Sequence, residues 1–271
     1  MPTKYVEVKG RATHFYYTGR TTLPEVAPDF SRGRAILMVH GAGSNGHTFH
    51  YQYEKLGEAH SPIAIDLPGH GRSAGVDGLG SVEEYGDFVM AFADALKLKS
   101  FVIAGRSMGG AIAMDVALRY SGRIEALVLI ATAPKFNIPQ ASVDIWRNVT
   151  MGRAPQPFTT DYHSPKTVKE HFEIVREGWM EQIQTDPRVR YTDLLACTKV
   201  DLRDKIGAIA KPTIVLAGAD DKVTPPADAE AIAAKIKGAR LQTIADAAHS
   251  ITSEQPGEVN AAIAGFLSEL K

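Results

Sequence analysis

Short, wholly apolar runs alternate through most of this chain with longer stretches of helical periodicity. Ala35 to Val39, Pro62 to Ile65, Phe101 to Ala104 and Ala126 to Ile130 read as strands buried on both faces of a parallel sheet. His47 to Leu56, Val82 to Leu96 and Ala111 to Tyr120 fall between them as helices. Ser81-Val82-Glu83-Glu84 is a capping box, in which serine and glutamate each satisfy a free backbone N–H at a helix start. This alternation predicts an α/β architecture with helices on both sides of the sheet. Ahead of it, Lys4 to Val8 and Thr13 to Thr18, rich in β-branched and aromatic residues and parted at Lys9-Gly10-Arg11, predict a hairpin at an antiparallel edge.

The alternation stops at Pro134. From there to about Lys211 helices are separated by proline-rich turns, and no strand of any length appears. Ser164-Pro165 and Asp186-Pro187 each place a capping residue before a proline suited to the first helical turn. Val168, Phe172, Val175, Trp179 and Ile183 form one apolar stripe, expected to seat this segment on the rest of the protein rather than to receive another protein. The sheet pattern resumes at Thr213 to Ala217, followed by a helix from Pro226 to Ile236, a strand at Arg240 to Ile244 and a helix from Pro256 to Leu270. The expected organisation is a core of residues 1–133 and 212–271, with a helical cap, residues 134–211, inserted after the sixth of eight strands.

Composition narrows the function more than the fold. With 271 residues, 44% of them hydrophobic, and a net charge of −1, the chain can bury a large core. It has no basic stripe to neutralise phosphates, so nucleic acid is not an expected partner. Neither a polybasic amphipathic segment nor a run of membrane-spanning length points to a membrane. The single cysteine, Cys197, leaves no intrachain disulfide and reads as a buried helix residue rather than a catalytic thiol. Met1 to Glu7 lacks the apolar core and cleavage site of a signal peptide. The expectation is a cytoplasmic protein acting on a small molecule. The sequence carries no signal of oligomeric state.

Its chemistry centres on Gly105-Arg106-Ser107-Met108-Gly109-Gly110, between a buried strand and a helix. A serine on so tight a turn needs glycine two residues to either side, and its hydroxyl is thrust out toward a substrate. Serine is a poor nucleophile at neutral pH, so a base must take its proton and a carboxylate must orient that base. In a parallel sheet both should come from loops after later strands. His249 follows the last strand; Asp220 and Asp221 both follow the one before it, and spacing alone leaves open which is the acid. The order serine, acid, histidine is that of serine hydrolases on such a sheet.

At these motifs the chain resembles the α/β-hydrolase fold superfamily, as a serine esterase or lactonase-like member with a helical cap. The resemblance spans nearly the whole length. His40-Gly41-Ala42-Gly43 is similar to the family's oxyanion-hole loop, and Asp66-Leu67-Pro68-Gly69-His70-Gly71-Arg72-Ser73 to its structural turn. Gly218-Ala219-Asp220-Asp221 resembles the family's glycine with an acid three positions on, which favours Asp221. His249 with Glu254 to Asn260 matches its histidine and closing helix. The resemblance implies the α/β-hydrolase fold, a mostly parallel eight-stranded sheet flanked by helices. It further implies a Ser107, Asp221, His249 triad, oxyanion donors at the backbone N–H groups of Ala42 and Met108, and no metal or organic cofactor. Structural hydrogen bonding is the expected role of His40 and His70.

Arg106 departs from the family pattern, where histidine, asparagine or tryptophan often stands; it is either a solvated or salt-bridged arginine or a cation near an acyl carboxylate. Gly43, Arg106, Trp146, Phe172 and Trp179 are the candidate pocket residues, with core packing the alternative for the aromatic ones. The expected reaction is hydrolysis of a carboxylic ester, lactone or thioester of a small, largely apolar substrate through an acyl-enzyme. The Ser-Met-Gly-Gly elbow also occurs in carbon–carbon bond hydrolases of ring-cleavage products, but Ser250 stands where these have tryptophan. Ser107 argues against haloalkane dehalogenases and epoxide hydrolases, which use aspartate. A triad-retaining ligand-sensing signalling protein is a more distant alternative. Gly41 to Gly46 with Asp66 after the next strand also satisfies a dinucleotide fingerprint, hence an NAD oxidoreductase, although two strands precede it and Pro68-Gly69-His70-Gly71 follows the acid.

Overall fold

The computed structural model describes residues 2–23 and 25–270. Eight strands, β1 (Thr3–Val8), β2 (Arg11–Tyr17), β3 (Ala35–Val39), β4 (Ser61–Ile65), β5 (Phe101–Arg106), β6 (Ile124–Ile130), β7 (Thr213–Gly218) and β8 (Arg240–Ile244), form one sheet. Their order is β1-β2-β4-β3-β5-β6-β7-β8. β2 runs antiparallel to both neighbours, and the pairs from β4 to β8 are parallel. The hairpin is tighter than the sequence reading: Lys9 and Gly10 alone turn it, both at positive φ (50° and 75°), so β2 starts at Arg11.

Residues on successive positions of the central strands enter different cores. Leu37, Val39, Ile103, Leu127, Leu129 and Val215 belong to one, and Ile36, Met38, Val102, Val128, Ile214 and Leu216 to the other. Helix α1 (His50–Leu56) and the closing helix α9 (Pro256–Ser268) cover the second face. Helices α2 (Val82–Ala95), α3 (Met108–Arg119) and α8 (Pro226–Lys235) cover the first. Both faces are therefore apolar, which is why these strands show no alternation with polar residues. The first turn ahead of α1 is a 3-10 segment, Gly46–Phe49, capped by the Asn45 side chain.

Between β6 and β7 the chain forms α4 (Gln140–Thr150), α5 (Pro165–Glu170), α6 (Phe172–Gln182) and α7 (Pro187–Lys199). Ser164 and Asp186 cap α5 and α7 with proline in the first turn, as expected. The apolar stripe does not survive as one face. His171, at φ −137° and ψ 49°, breaks the helix, and of the stripe only Val175 is buried while Phe172 and Ile183 stand exposed. Among the described residues no helix is long and apolar enough to cross a membrane.

Candidate active site

Ser107 sits at the N-terminus of α3 with φ 55° and ψ −123°, a conformation that L-residues rarely adopt. Its neighbours leave no alternative. A Cβ on Gly105 would overlap the Gly109 carbonyl, and one on Gly109 would overlap the Val39 carbonyl. The turn is held by the Ser107 N–H donating to the Ile130 carbonyl (3.0 Å) and the Thr132 hydroxyl donating to the Ser107 carbonyl (2.6 Å).

Loops at the C-terminal ends of β7 and β8 bring Asp221 and His249 to this hydroxyl. The Ser107 Oγ lies 3.0 Å from His249 Nε2, and His249 Nδ1 lies 2.9 Å from Asp221 Oδ2. A carboxylate can only accept, so Nδ1 carries the proton and Nε2 is free to accept from the serine. Asp221 is fixed by the Val223 and Thr224 N–H groups (2.8 and 3.0 Å) and by the Thr224 hydroxyl (2.9 Å). Asp220, the other candidate acid, is exposed. Burial pushes the Asp221 carboxyl up, but His249 and the bonds it accepts outweigh this and hold it below the usual carboxylate range. At His249 burial prevails: the imidazole is pushed down despite Asp221, and the Arg106 and Arg190 guanidiniums push it further. The imidazole is therefore neutral at pH 7, the state a base requires.

Among the described residues Arg106 has no ion-pair partner, and it is half-buried at the cavity wall. Its Nε and Nη2 donate to the His249 carbonyl (3.1 and 2.9 Å), clasping the loop that carries the imidazole. Met108 N–H heads α3, one of the donors a helix start leaves without an internal partner. Ala42 N–H, in the loop after β3, has no acceptor among the described residues. His40 holds that loop in shape, Nδ1 donating to the Gly41 carbonyl (2.8 Å) and Nε2 accepting from Leu67 N–H (3.1 Å). Buried beside His70, it is driven down to about 3 and stays neutral.

Three side chains near or on α7 bind the same loop from above. Thr185 donates to the Gly43 carbonyl (3.1 Å), Arg190 to the Ala42 carbonyl (3.0 Å), and Asp193 accepts from Gly43 N–H (2.8 Å). Asp193 is fully buried and also accepts from His70 Nε2 (2.7 Å) and the Tyr85 hydroxyl. Both His70 nitrogens face acceptors, Asp193 and the Pro68 carbonyl, and although burial opposes it, the carboxylate raises the imidazole above its ordinary value. The sequence reading missed Thr185, Arg190 and Asp193. Each stands on or beside an ordinary-looking helix, and no short motif marks residues whose partners lie more than a hundred positions away.

A cavity of about 1470 Å³ opens over Ser107, lined by Arg106, Trp146, His163, Glu181 and Arg190 among others. Its lining mixes charged and apolar groups. Three of the five candidate pocket residues stand outside it. Gly43, at φ 64°, is covered by the Arg190 side chain and does not line the space. Phe172 is half exposed, and Trp179 packs edge-on against Phe158 at 5.3 Å outside the cavity. α6 instead turns Ile174, Glu177, Gly178, Glu181 and Gln182 to the cavity, the side of the helix opposite the stripe. Asp66, the acid of the dinucleotide alternative, is buried and accepts from Gly46 N–H, Arg72 N–H and His14, which leaves it no ribose to bind.

A nucleophile elbow on a doubly wound sheet with β2 reversed defines an α/β-hydrolase architecture. Residues 36–262 match the model of the alpha/beta hydrolase family, and the chain belongs to that family and is a hydrolase. It is 26% identical over 229 residues to a pimeloyl-[acyl-carrier protein] methyl ester esterase of Neisseria meningitidis, covering 80% of this chain and 71% of that one. It is 25% identical over 257 residues to 3-oxoadipate enol-lactonase 2 of Acinetobacter baylyi, covering 92% and 96%. Among solved structures, a thermophilic esterase from Thermogutta terrifontis superposes with TM-score 0.84 at 24% identity, covering 100% and 99%.

Proposed function

We propose that this hydrolase cleaves a carboxylic ester, open-chain or cyclic, through an acyl-enzyme on Ser107. The observation that carries the reading is the continuous relay from Ser107 Oγ to His249 to Asp221, with bonds of 3.0 and 2.9 Å. Related proteins named as a methyl ester esterase and an enol-lactonase support the ester class. His249 takes the serine proton as Oγ attacks the ester carbonyl, and the ionised Asp221 stabilises the imidazolium that forms. The backbone N–H groups of Ala42 and Met108 receive the oxyanion, where each donor is worth about 10²–10³ in rate. His249 then protonates the departing alkoxide, and a water deprotonated by the same imidazole releases the acid. Every proton is accounted for among these groups. The cap is read as residues 134–211, closing over the site from the α7 side. The cavity exceeds the roughly 300–1,000 Å³ of ordinary small-molecule sites, leaving room for both acyl and alcohol portions.

The test is hydrolysis of short p-nitrophenyl esters and of simple lactones by the parent, Ser107→Ala and His249→Ala. Each variant should lose about 10⁴–10⁶ in kcat with its circular dichroism unchanged. Turnover at the parental rate by either folded variant would falsify the assignment.

A further inference from the structure

Among the described residues, two guanidinium groups at the cavity have no carboxylate partner. Arg106 spends Nε and Nη2 on the His249 carbonyl, and its Nη1 reaches the Thr48 hydroxyl at 3.3 Å. Arg190, only 7% exposed, uses one N–H of Nη1 on the Ala42 carbonyl and one of Nη2 on the Tyr162 hydroxyl (2.8 Å). Its Nε is buried with no acceptor at all among the described residues. An arginine has five N–H donors, so three of those on Arg190 remain unused. The Trp146 and Tyr162 rings lie 5.1 and 5.8 Å from its guanidinium carbon, supporting the cation's faces but supplying no negative charge.

Asp161, Glu177 and Glu181 also line the cavity, but among the described residues none is ion-paired with either arginine, and Glu181 is paired with His47. The buried carboxylates nearby are committed elsewhere. Asp193, one turn along α7, accepts from Gly43, His70 and Tyr85. Asp221 serves His249 and Thr224, and the two oxygens of Glu254 accept the Ser164 and Ala248 N–H groups (2.6 and 2.8 Å). A cation taken from water without a counter-ion is unfavourable unless an anion completes it. The unused donors, the missing anion and the cavity wall coincide at Arg190.

We propose that Arg190 receives a carboxylate carried by the substrate, so that the preferred substrates are half-esters or lactones derived from short dicarboxylic acids. The inference rests on the ester-hydrolase reading for what happens at the other end of the molecule. Arg190 touches the carbonyl of Ala42, the residue assigned as an oxyanion donor. The bound carboxylate therefore lies only a few bonds from the ester carbonyl, the separation of a diacid such as glutarate. Arg106, occupied by His249, contributes positive potential rather than direct contact. A guanidinium fork matches the two oxygens of a carboxylate, which an ammonium does not.

Monomethyl glutarate and dimethyl glutarate differ by one carboxylate and provide the test. The parent should favour the half-ester in kcat/KM. Arg190→Met should lower kcat/KM about 10–100-fold more for the half-ester than for the diester, the effect of one charge-assisted hydrogen bond or two. Arg190→Lys should retain part of the preference. Were Arg190 only a prop for the Ala42 loop, both substrates would suffer equally, and that result overturns the proposal. Should Arg190→Met not fold, the same ratio measured in Arg190→Lys decides. Calorimetric titration of glutarate into Ser107→Ala, with and without Arg190→Met, separates binding from chemistry: about a tenfold loss of affinity is expected, and unchanged affinity overturns the subsite. Glutarate binding without turnover of any ester would leave the subsite standing and remove the hydrolase reading; diester turnover without half-ester preference would do the reverse.

Discussion

At the scale of single residues, charge placement around one imidazole sets the pH range of the enzyme. His249 is enclosed and faces Asp221 on one side and two guanidiniums on the other, and burial together with the arginines prevails. A base whose conjugate acid is weakened stays neutral to lower pH. The kcat/KM profile of the parent should therefore hold its plateau through pH 6.5, the ordinary histidine value, and fall with unit slope only below it. Removing the nearer cation by Arg106→Met should move that midpoint upward. A parental midpoint at or above 6.5 in a pH titration of ester hydrolysis would contradict this account. Ser107 and His249 were legible in the sequence because steric demands around the elbow and the strand ends write themselves locally. Arg190 was not, since a charged residue on a helix reads as solvent-facing unless its three-dimensional neighbours are known.

At the scale of elements, α7 acts as a strut on the loop after β3. Of its contacts the Asp193 carboxylate carries the most, because it neutralises the buried His70 imidazolium while holding Gly43 N–H at 2.8 Å. Asp193→Asn keeps the shape and removes the charge. It should destabilise the fold by about 3–5 kcal/mol, as expected for stranding one member of a buried ion pair. Because the loop also carries Ala42, kcat should fall more than KM rises, and Asp193→Asn/His70→Gln should recover part of the stability in urea titrations. Equal stability of parent and Asp193→Asn would sink this reading. The same element shows where periodicity misleads. Phe172, Val175, Trp179 and Ile183 keep helical spacing, but His171 ends α5 and parts Val168 from them, and α6 turns its opposite side to the cavity. A break of this kind needs no proline or glycine, and nothing in the local sequence announces it.

At the scale of the whole molecule, the strand-helix alternation was readable because both sheet faces are buried and every central strand is continuously apolar. The polar ties between α7 and the loop after β3 were not readable, yet they join parts of the chain separated by more than a hundred residues. Segments so connected should not melt independently. Urea unfolding followed by tryptophan fluorescence, which reports Trp146 and Trp179 between β6 and β7, should coincide with far-ultraviolet circular dichroism, which reports the entire chain. Two separated transitions would show that the helices from α4 to α7 stand apart energetically.

The crowding at the nucleophile turn bears on how this scaffold could be retooled. Gly105 and Gly109 are pinned against neighbouring carbonyls, so the mount cannot slide along β5 or tilt without losing the sheet beneath it. What can be exchanged is the tool it carries. New reactivity, whether a thiolate or a carboxylate, must be installed at position 107 itself, where geometry tuned for one oxygen is inherited by whatever atom replaces it.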